Sequence, residues 1–170
     1  MGASALAALE AMRVSARPAE TGDLETLESL YRGLETEMTE LHPMWPLADG
    51  LAEPVPESLL DALDDEATMV VIGEIEDYPL GFMVARVEGL LPQAGGAEIC
   101  SIRLVFVVPE AREVSVGEVM RDFVMEQMRA RGISKFDAHV LPGHRLVKNF
   151  FEAGGFSARS IVMHHDDNRE

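Results

Sequence analysis

The sequence predicts a mixed α/β (α+β) fold, with a central sheet of six to seven strands flanked by about four helices. Three observations predict it. Residues 105–108 are a short β-branched run typical of a buried strand, and an apolar stripe at helical spacing follows them as far as Arg131. Residues 136–141 read as the next strand, and a crossover of this kind is right-handed and parallel. Along the whole chain, the segments follow the order β-α-α-β-β-β-α-β-α-β.

The elements before the central unit are a short strand, two helices and a hairpin. The first strand covers residues 14–17 and is ended by Pro18. A helix follows, because apolar residues recur at helical spacing from Leu24 to Leu41. Residues 43–56 contain four prolines and predict a long loop, and residues 57–63 predict a weak second helix. Residues 69–75 and 80–87 then predict an antiparallel hairpin.

The later elements complete the sheet. Residues 98–108 predict a long strand that enters the central turn. After the strand at 136–141, Pro142-Gly143 opens a last helix, which Gly154-Gly155 ends. Residues 156–164 predict a closing strand. We therefore expect one domain over residues 13–165, preceded by an extension at 1–12 and followed by a polar tail at 166–170.

Composition and charge restrict the class of protein. The net charge is −16, and residues 1–100 carry 20 acidic and 4 basic side chains. Such acidity argues against nucleic acid as a partner. It favours either a cationic substrate or simply solubility. No apolar run approaches the ~20 residues that span a membrane, so no membrane partner is expected. The single cysteine, Cys100, favours a reducing, cytoplasmic location.

The turn after residues 105–108 has the composition of an anion-binding helix start. Pro109 ends the strand, and Ser115 stands three residues before Glu118, which is the spacing of a capping box. The box predicts that the Ser115 hydroxyl accepts a hydrogen bond from the Glu118 amide. Free amides and the helix dipole at such a place suit an anionic phosphate.

The run Val-Phe-Val-Val-Pro-Glu-Ala-Arg-Glu-Val-Ser-Val-Gly, residues 105–117, resembles the acetyl-CoA-binding motif of the GNAT (general N-acetyltransferase) superfamily. Ser115 stands where the family's first glycine is usual, and a serine disfavours positive φ. With the element order, the resemblance covers about residues 12–165. It implies a bacterial-type acetyltransferase with acetyl-CoA as co-substrate. The cofactor-binding residues that it implies are Phe106, Val107, Val108, Arg112, Glu113, Val114, Ser115, Val116, Gly117, Glu118, Phe150 and Phe151.

A second GNAT motif, Asn-x-x-Ala-x-x-Phe-Tyr-x-x-x-Gly-Phe, is matched in part. Phe150, Gly155 and Phe156 match, whereas His144 stands at the asparagine position and Phe151 at the tyrosine position. In many relatives that tyrosine protonates the departing sulfur, and phenylalanine has no proton to give. Losing one general acid costs about 10²–10⁴ in rate. A thiol pKa of about 8.5 still leaves thiolate a tolerable leaving group.

The resemblance also implies the chemistry. A substrate amine attacks the thioester directly, and a backbone amide near Val107 holds the oxyanion, where relatives splay two parallel strands apart. The amine must first lose a proton. The catalytic candidates are Glu98, on the long strand, and His144, as an acid or as a hydrogen-bond partner of the cofactor. Other candidate bases near the end of the first helix are Glu35, Glu37, Glu40 and His42.

Three functions follow from these patterns. The leading one is an acetyl-CoA-dependent N-acetyltransferase acting on an amine of a small molecule or peptide, cationic in character. The alternative is a catalytically weakened GNAT-like domain that binds acyl-CoA or a partner. A third is a structural homodimer subunit, suggested by the apolar residues 160–163; the chain is thus a monomer or a homodimer. No metal is expected at His164-His165, because adjacent strand residues point to opposite faces.

Overall fold

A computed structural model describes residues 2–41 and 49–168 of the chain. His42, one of the candidate bases, and two of the four prolines of the 43–56 loop, Pro43 and Pro46, lie outside the described residues. The helices are α1 (Ala3–Ala11), α2 (Leu24–Leu41), α3 (Val55–Asp64), α4 (Val116–Ala130) and α5 (Arg145–Ala153). The strands are β1 (Val14–Pro18), β2 (Thr68–Ile75), β3 (Tyr78–Gly89), β4 (Glu98–Val107) and β5 (Phe136–Ala138).

The strands form one mixed sheet in the order β1-β2-β3-β4-β5. The first four strands pair antiparallel, and the register of β3 on β4 shifts between Val84 and Ala85. β4 and β5 pair parallel, with Cys100 opposite Phe136 and Ile102 opposite Ala138. The mixed α/β fold and the parallel crossover expected from the sequence are confirmed.

The sheet has five strands over the described residues, rather than six to seven. The predicted strand at 136–141 ends at Ala138, and the predicted strand at 156–164 does not form. The side chains of Ile161, Val162 and Met163 are 76%, 90% and 87% exposed. The physical reason is the length of β5. A strand of three residues offers too short a ladder for a further strand to pair with it.

Helices cover both faces of the sheet. The helices α2 and α3 pack on one face, over a core that includes Phe82, Leu104 and Phe106. The helices α4 and α5 cover the opposite face, over a core that includes Val107. Phe106 and Val107 enter different cores because successive strand residues point to opposite faces. β4 thus joins the two layers at its carboxyl end.

Across residues 2–41 and 49–168, every helix is too short or too polar to cross a membrane.

Candidate functional site

The parallel strands β4 and β5 separate partway along β4. Their described pairing ends at Ile102, whose carbonyl accepts a hydrogen bond from the His139 amide at 3.0 Å. β4 continues as far as Val107, paired there with β3 on one edge only. Among the described residues no strand pairs with the other edge beyond Ile102. The backbone of the second half of β4 therefore borders an opening, which we call the fork.

The turn that follows β4 presents a row of amides. A short 3-10 turn, Pro109–Ala111, leads towards α4, which begins at Val116. The backbone amides of residues 113–118 donate no hydrogen bond to any described residue. Amides at the start of a helix point along the axis, where the dipole favours negative charge. The row of amides has the character of a phosphate site.

Ser115 takes the left-handed conformation, with φ of +66° and ψ of 16°. Its side chain makes no capping hydrogen bond, so the capping box predicted with Glu118 is wrong. The physical reason is the backbone, since a side-chain cap needs an extended N-cap residue. Ser115 occupies instead the conformation that a glycine adopts readily. The turn at this position thus has a glycine-like shape although its residue is serine.

Arg112 ties this turn to β4 and α2. Its Nε donates to the Val107 carbonyl at 2.8 Å, and its guanidinium lies 5.6 Å from the centre of the Phe106 ring. The two terminal nitrogens donate to the two carboxylate oxygens of Glu37, one of them at 3.0 Å. α2 comes this close partly because residue 33 is glycine: a Cβ there would lie 2.9 Å from the Phe106 ring. The ion pair fixes the carboxyl end of β4.

His144 lies in the same cluster, at the start of α5. The residue is 9% exposed, and no described residue hydrogen-bonds its Nε2 atom. Burial lowers the pKa of His144; the charge of Glu37 opposes this effect and that of Arg112 adds to it. The structure therefore brings His144 and Glu37 together with the cofactor-binding candidate Arg112. A buried, neutral imidazole here is a hydrogen-bonding group.

The other candidate acids and bases lie elsewhere. Glu98 is exposed at the first position of β4, opposite Gly89 and nine residues before Val107, which is roughly 30 Å along a strand. The structure does not bring Glu98 to the fork. Glu35 pairs with Arg32 at 3.0 Å on the surface of α2, and Glu40 is exposed. Neither carboxylate joins the cluster of Arg112.

The remaining cofactor-binding candidates of β4, the turn and the start of α4 differ in whether their side chains are exposed to solvent. The side chains of Phe106, Val107 and Val116 are buried in the core, so only their backbone can meet a ligand. Gly117 is buried too; a Cβ there would lie 3.0 Å from the Phe150 ring, so glycine lets α5 approach α4. The remaining candidates of the turn are half-buried or exposed, namely Val108, Val114, Glu118 and Glu113.

Phe150 and Phe151 point to different surroundings. Phe150 is half-buried, with the Arg121 guanidinium 5.0 Å from its ring centre. Phe151 is 3% exposed and lies in the core beneath α4. Its ring makes edge-to-face contacts with Phe150 and Phe156 at 4.9 and 5.2 Å between centres. Phe151 is a core residue here, although the motif places it at a catalytic position.

A cluster that the sequence did not predict lies at the fork. Asp49 accepts a hydrogen bond from Arg103 at 2.9 Å through one oxygen, and its other oxygen lies 2.6 Å from Nδ1 of His139. Arg103 also pairs with Glu88 of β3. Burial alone would raise the pKa of Asp49, but its contacts with His139 and Arg103 outweigh burial and lower it. Asp49 and His139 are 90 residues apart and belong to no motif, so no sequence pattern connected them.

Beside this cluster lies an open cleft of about 700 Å³ between α3, β3 and β4. Asp49 and Arg103 form one of its walls. Its charged lining residues comprise four acids and two bases: Asp49, Asp61, Asp65, Glu88, Arg86 and Arg103. The excess of carboxylates favours a positively charged ligand.

Solved structures with the same fold include several acetyltransferases. A tetramutant of the BH1408 protein from Bacillus halodurans has a TM-score of 0.76 and 16% identity, covering 89% of this chain and 98% of its own. The aminoglycoside 6'-N-acetyltransferase AAC(6')-Ih from Acinetobacter baumannii has a TM-score of 0.70 and 13% identity, covering 93% and 100%. The aminoglycoside N-acetyltransferase AAC(6')-Iy, in complex with CoA, has a TM-score of 0.69 and 15% identity, covering 93% and 95%. A comparison with curated proteins gives no match.

At these identities the solved structures show the fold alone. The family is shown by the sequence itself, because the model of the acetyltransferase (GNAT) family matches residues 27–156. This range includes β4, the turn, α4 and α5, and acetyl-CoA is the co-substrate that the resemblance implied. The chain belongs to the GNAT acetyltransferase family.

Proposed function

We propose that this protein is an acetyl-CoA-dependent N-acetyltransferase that acts on a cationic amine of a small molecule or peptide. The observation that carries the proposal is the fork together with the row of amides at residues 113–118. An open strand edge offers backbone partners to an extended chain, and the amides offer donors to phosphates. Both features lie at the carboxyl end of β4. A ligand that carries a pyrophosphate on a long arm requires the two features to be neighbours.

The residues of the turn fit the pyrophosphate of CoA through their backbone. Six amides without a partner and a left-handed residue at Ser115 make a concave donor surface. The nearby Arg112 is already paired with Glu37, so its charge is largely neutralised. Binding therefore depends on hydrogen bonds from the main chain more than on side-chain charge. The orphaned Nε2 of His144 supplies one further buried polar group beside Arg112.

The reaction would take place at the fork. The neutral nitrogen of the acceptor attacks the thioester carbon, a C–N bond forms, and the C–S bond breaks. Backbone amides on the open edge of β4 are the donors available to the oxyanion, and such donors are worth about 3–4 kcal/mol each in other enzymes. The acid-lined cleft beside the fork supports a cationic acceptor, and the two aminoglycoside acetyltransferases compared above are named for acceptors of the amine class.

One observation favours the alternative, a domain that binds acyl-CoA but turns it over slowly. Phe151 stands at the usual tyrosine position, and a phenylalanine ring has no acidic proton for the departing sulfur. Thiolate departure without an acid is slower but feasible at neutral pH. We therefore keep acetyl transfer as the leading function and slow turnover as its expected character.

The lone, buried Cys100 supports a cytoplasmic location.

Two measurements test the proposal. Isothermal titration should show acetyl-CoA binding, with CoA as a competitor. A thiol-release assay should then show CoA formation with at least one of a diamine, an aminoglycoside and a peptide with a free N-terminus. Absence of binding at millimolar acetyl-CoA would overturn the proposal. Binding without CoA release above background for any amine would favour the alternative.

A further inference from the structure

We propose that His139, oriented by Asp49, is the general base that takes the proton from the acceptor amine. The inference rests on the proposed function and deepens it, by assigning the proton transfer that the sequence left among several candidates. It comes from three features of the described residues: the position of His139 at the fork, its contact with Asp49, and the acid-lined cleft behind Asp49.

The position of His139 is the first feature. Its amide donates to the Ile102 carbonyl at the last described contact between the two parallel strands. The open edge of β4 begins there. The side chain is 39% exposed, so substrate and water can reach it. A base in this place adjoins the opening in which the thioester would lie.

The contact with Asp49 is the second feature. Asp49 is held ionised by its neighbours, so its carboxylate only accepts hydrogen bonds. The hydrogen of a neutral His139 ring must then lie on Nδ1, which is 2.6 Å from Asp49. Nε2 keeps its lone pair, and no described residue hydrogen-bonds it. A carboxylate that orients a histidine and stabilises its protonated form is the arrangement a general base needs.

The cleft is the third feature. Asp49 has one oxygen on Arg103, in the cleft wall, and the other on His139. Asp49 therefore links a wall of the acid-lined cleft to His139 at the fork. A cationic acceptor drawn into the cleft by its carboxylates would present its reacting nitrogen to His139. Asp49 is the charged residue in contact with His139, and Arg103, which Asp49 also contacts, pairs in turn with Glu88 of β3.

The other candidates lack one of these features. Glu98 lies at the opposite end of β4. Glu37 holds both oxygens on Arg112, and His144 is 9% exposed. His139 combines an accessible ring nitrogen with a fixed orientation at the fork.

The proton balance of the step is simple. The ammonium of the acceptor gives one proton to Nε2 of His139, and the neutral nitrogen attacks the thioester carbon. After the C–N bond forms, the nitrogen loses its second proton to water, and the sulfur leaves as a thiolate as the C–S bond breaks. The thiolate takes one proton from water, and His139 returns its proton to water. No further reactant is required.

The test compares His139→Asn with the unchanged protein, using acetyl-CoA and the best amine of the panel above. Asparagine still offers an N–H to Asp49 but has no basic nitrogen. We expect kcat/KM for the amine to fall about 10²–10⁴-fold, the usual effect of a lost general base. The Kd for acetyl-CoA should not change. His164→Asn, in the exposed C-terminal segment, is the matched control and should keep full activity.

A second readout separates a base from a structural residue. Hydroxylamine, an acceptor already neutral at the assay pH, should lose far less rate in His139→Asn than an alkylamine does.

Each outcome decides the matter. Equal losses for hydroxylamine and the alkylamine in His139→Asn would overturn the role of His139 while leaving the proposed function intact. An unchanged protein that does not bind acetyl-CoA, or binds it and releases no CoA with any acceptor, would overturn acetyl transfer, and the role of His139 with it.

Discussion

Arg112, in the turn after β4, donates hydrogen bonds to both carboxylate oxygens of Glu37, which lies 75 residues earlier on α2. The same guanidinium donates to the Val107 carbonyl at 2.8 Å. One side chain thus connects the helix layer on one face of the sheet to the end of the strand that borders the fork. The geometry depends on the planar, forked guanidinium, which can bind a carboxylate with two nitrogens and a carbonyl with the third.

Arg112→Lys tests this connection, because lysine keeps the positive charge but lacks the planar guanidinium with its three nitrogens. We expect the free energy of unfolding to fall by about 2 kcal/mol, since hydrogen bonds to charged groups are worth roughly 1.5–3 kcal/mol. We also expect weaker acetyl-CoA binding, because the turn loses its anchor to β4. Urea denaturation and isothermal titration measure the two effects. Arg32→Lys, at an arginine that pairs with Glu53 on the surface, is the control. Equal losses in both variants would contradict a special role for Arg112.

Ser115→Gly should stabilise the protein. A non-glycine residue in the left-handed region costs about 1–3 kcal/mol, and Ser115 has φ of +66° with no capping hydrogen bond to lose. Glycine offsets up to about 1 kcal/mol of this gain, because it gives the unfolded chain more conformational entropy to lose on folding. We expect a net gain of about 1 kcal/mol in the free energy of unfolding, measured by urea denaturation.

The Kd for acetyl-CoA should change little in Ser115→Gly, because the turn already has the left-handed shape. Ser134→Gly is the control: this exposed serine has no positive φ, so glycine there should destabilise. A tighter Kd without a gain in stability would show that Ser115 limits binding rather than folding.

The fold was predictable where a pattern is local and repeats. The stripe from Leu24 to Leu41 and the run that became β4 carry their periodicity within the segment, and both formed. The segment 156–164 also has strand-like composition, yet a strand needs a neighbouring edge, and β5 is too short to supply one. The missing strand depends on a partner, which the segment's own residues do not reveal.

The site was predictable to the same extent. The turn at residues 109–117 is contiguous, so its motif is visible in the sequence. The pairing of Asp49 with His139 is long-range, and neither residue stands in a motif, so only the folded chain brings them together. The capping box failed for a different reason. Spacing gives the residue types of a cap, but the backbone angle at Ser115 decides whether the hydroxyl can reach.

Phe151→Tyr should not restore a general acid. The ring is 3% exposed and packed between Phe150 and Phe156, so a new hydroxyl would be buried. An unsatisfied buried hydroxyl costs about 1–3 kcal/mol, and we expect a loss of stability of this size with no gain in the rate of CoA release. Thermal unfolding and the thiol-release assay measure these effects. Phe156→Tyr, at a half-buried ring, should cost less. A rate increase in Phe151→Tyr would show that the ring can turn towards the fork.

The buried His144 should make the protein less stable in mild acid. Its pKa is lowered in the folded state, chiefly by burial, so the unfolded chain binds a proton first as the pH falls. The contribution of His144 to the free energy of unfolding is therefore fully present above the ordinary histidine pKa of about 6.5. It declines as the pH falls towards the lower pKa of the folded state. Below that value the loss due to this residue is complete.

His144→Asn removes this titration and introduces the residue usual in the family motif. We expect the difference in the free energy of unfolding between about pH 7.5 and about pH 5.5 to be smaller in His144→Asn than in the unchanged protein. Urea denaturation at the two pH values measures it. His164→Asn, at an exposed position, should leave the difference unchanged. If His144→Asn has the same pH dependence as the unchanged protein, the imidazole of His144 is not held neutral by its surroundings, and its place beside Glu37 allows it to charge in the folded state.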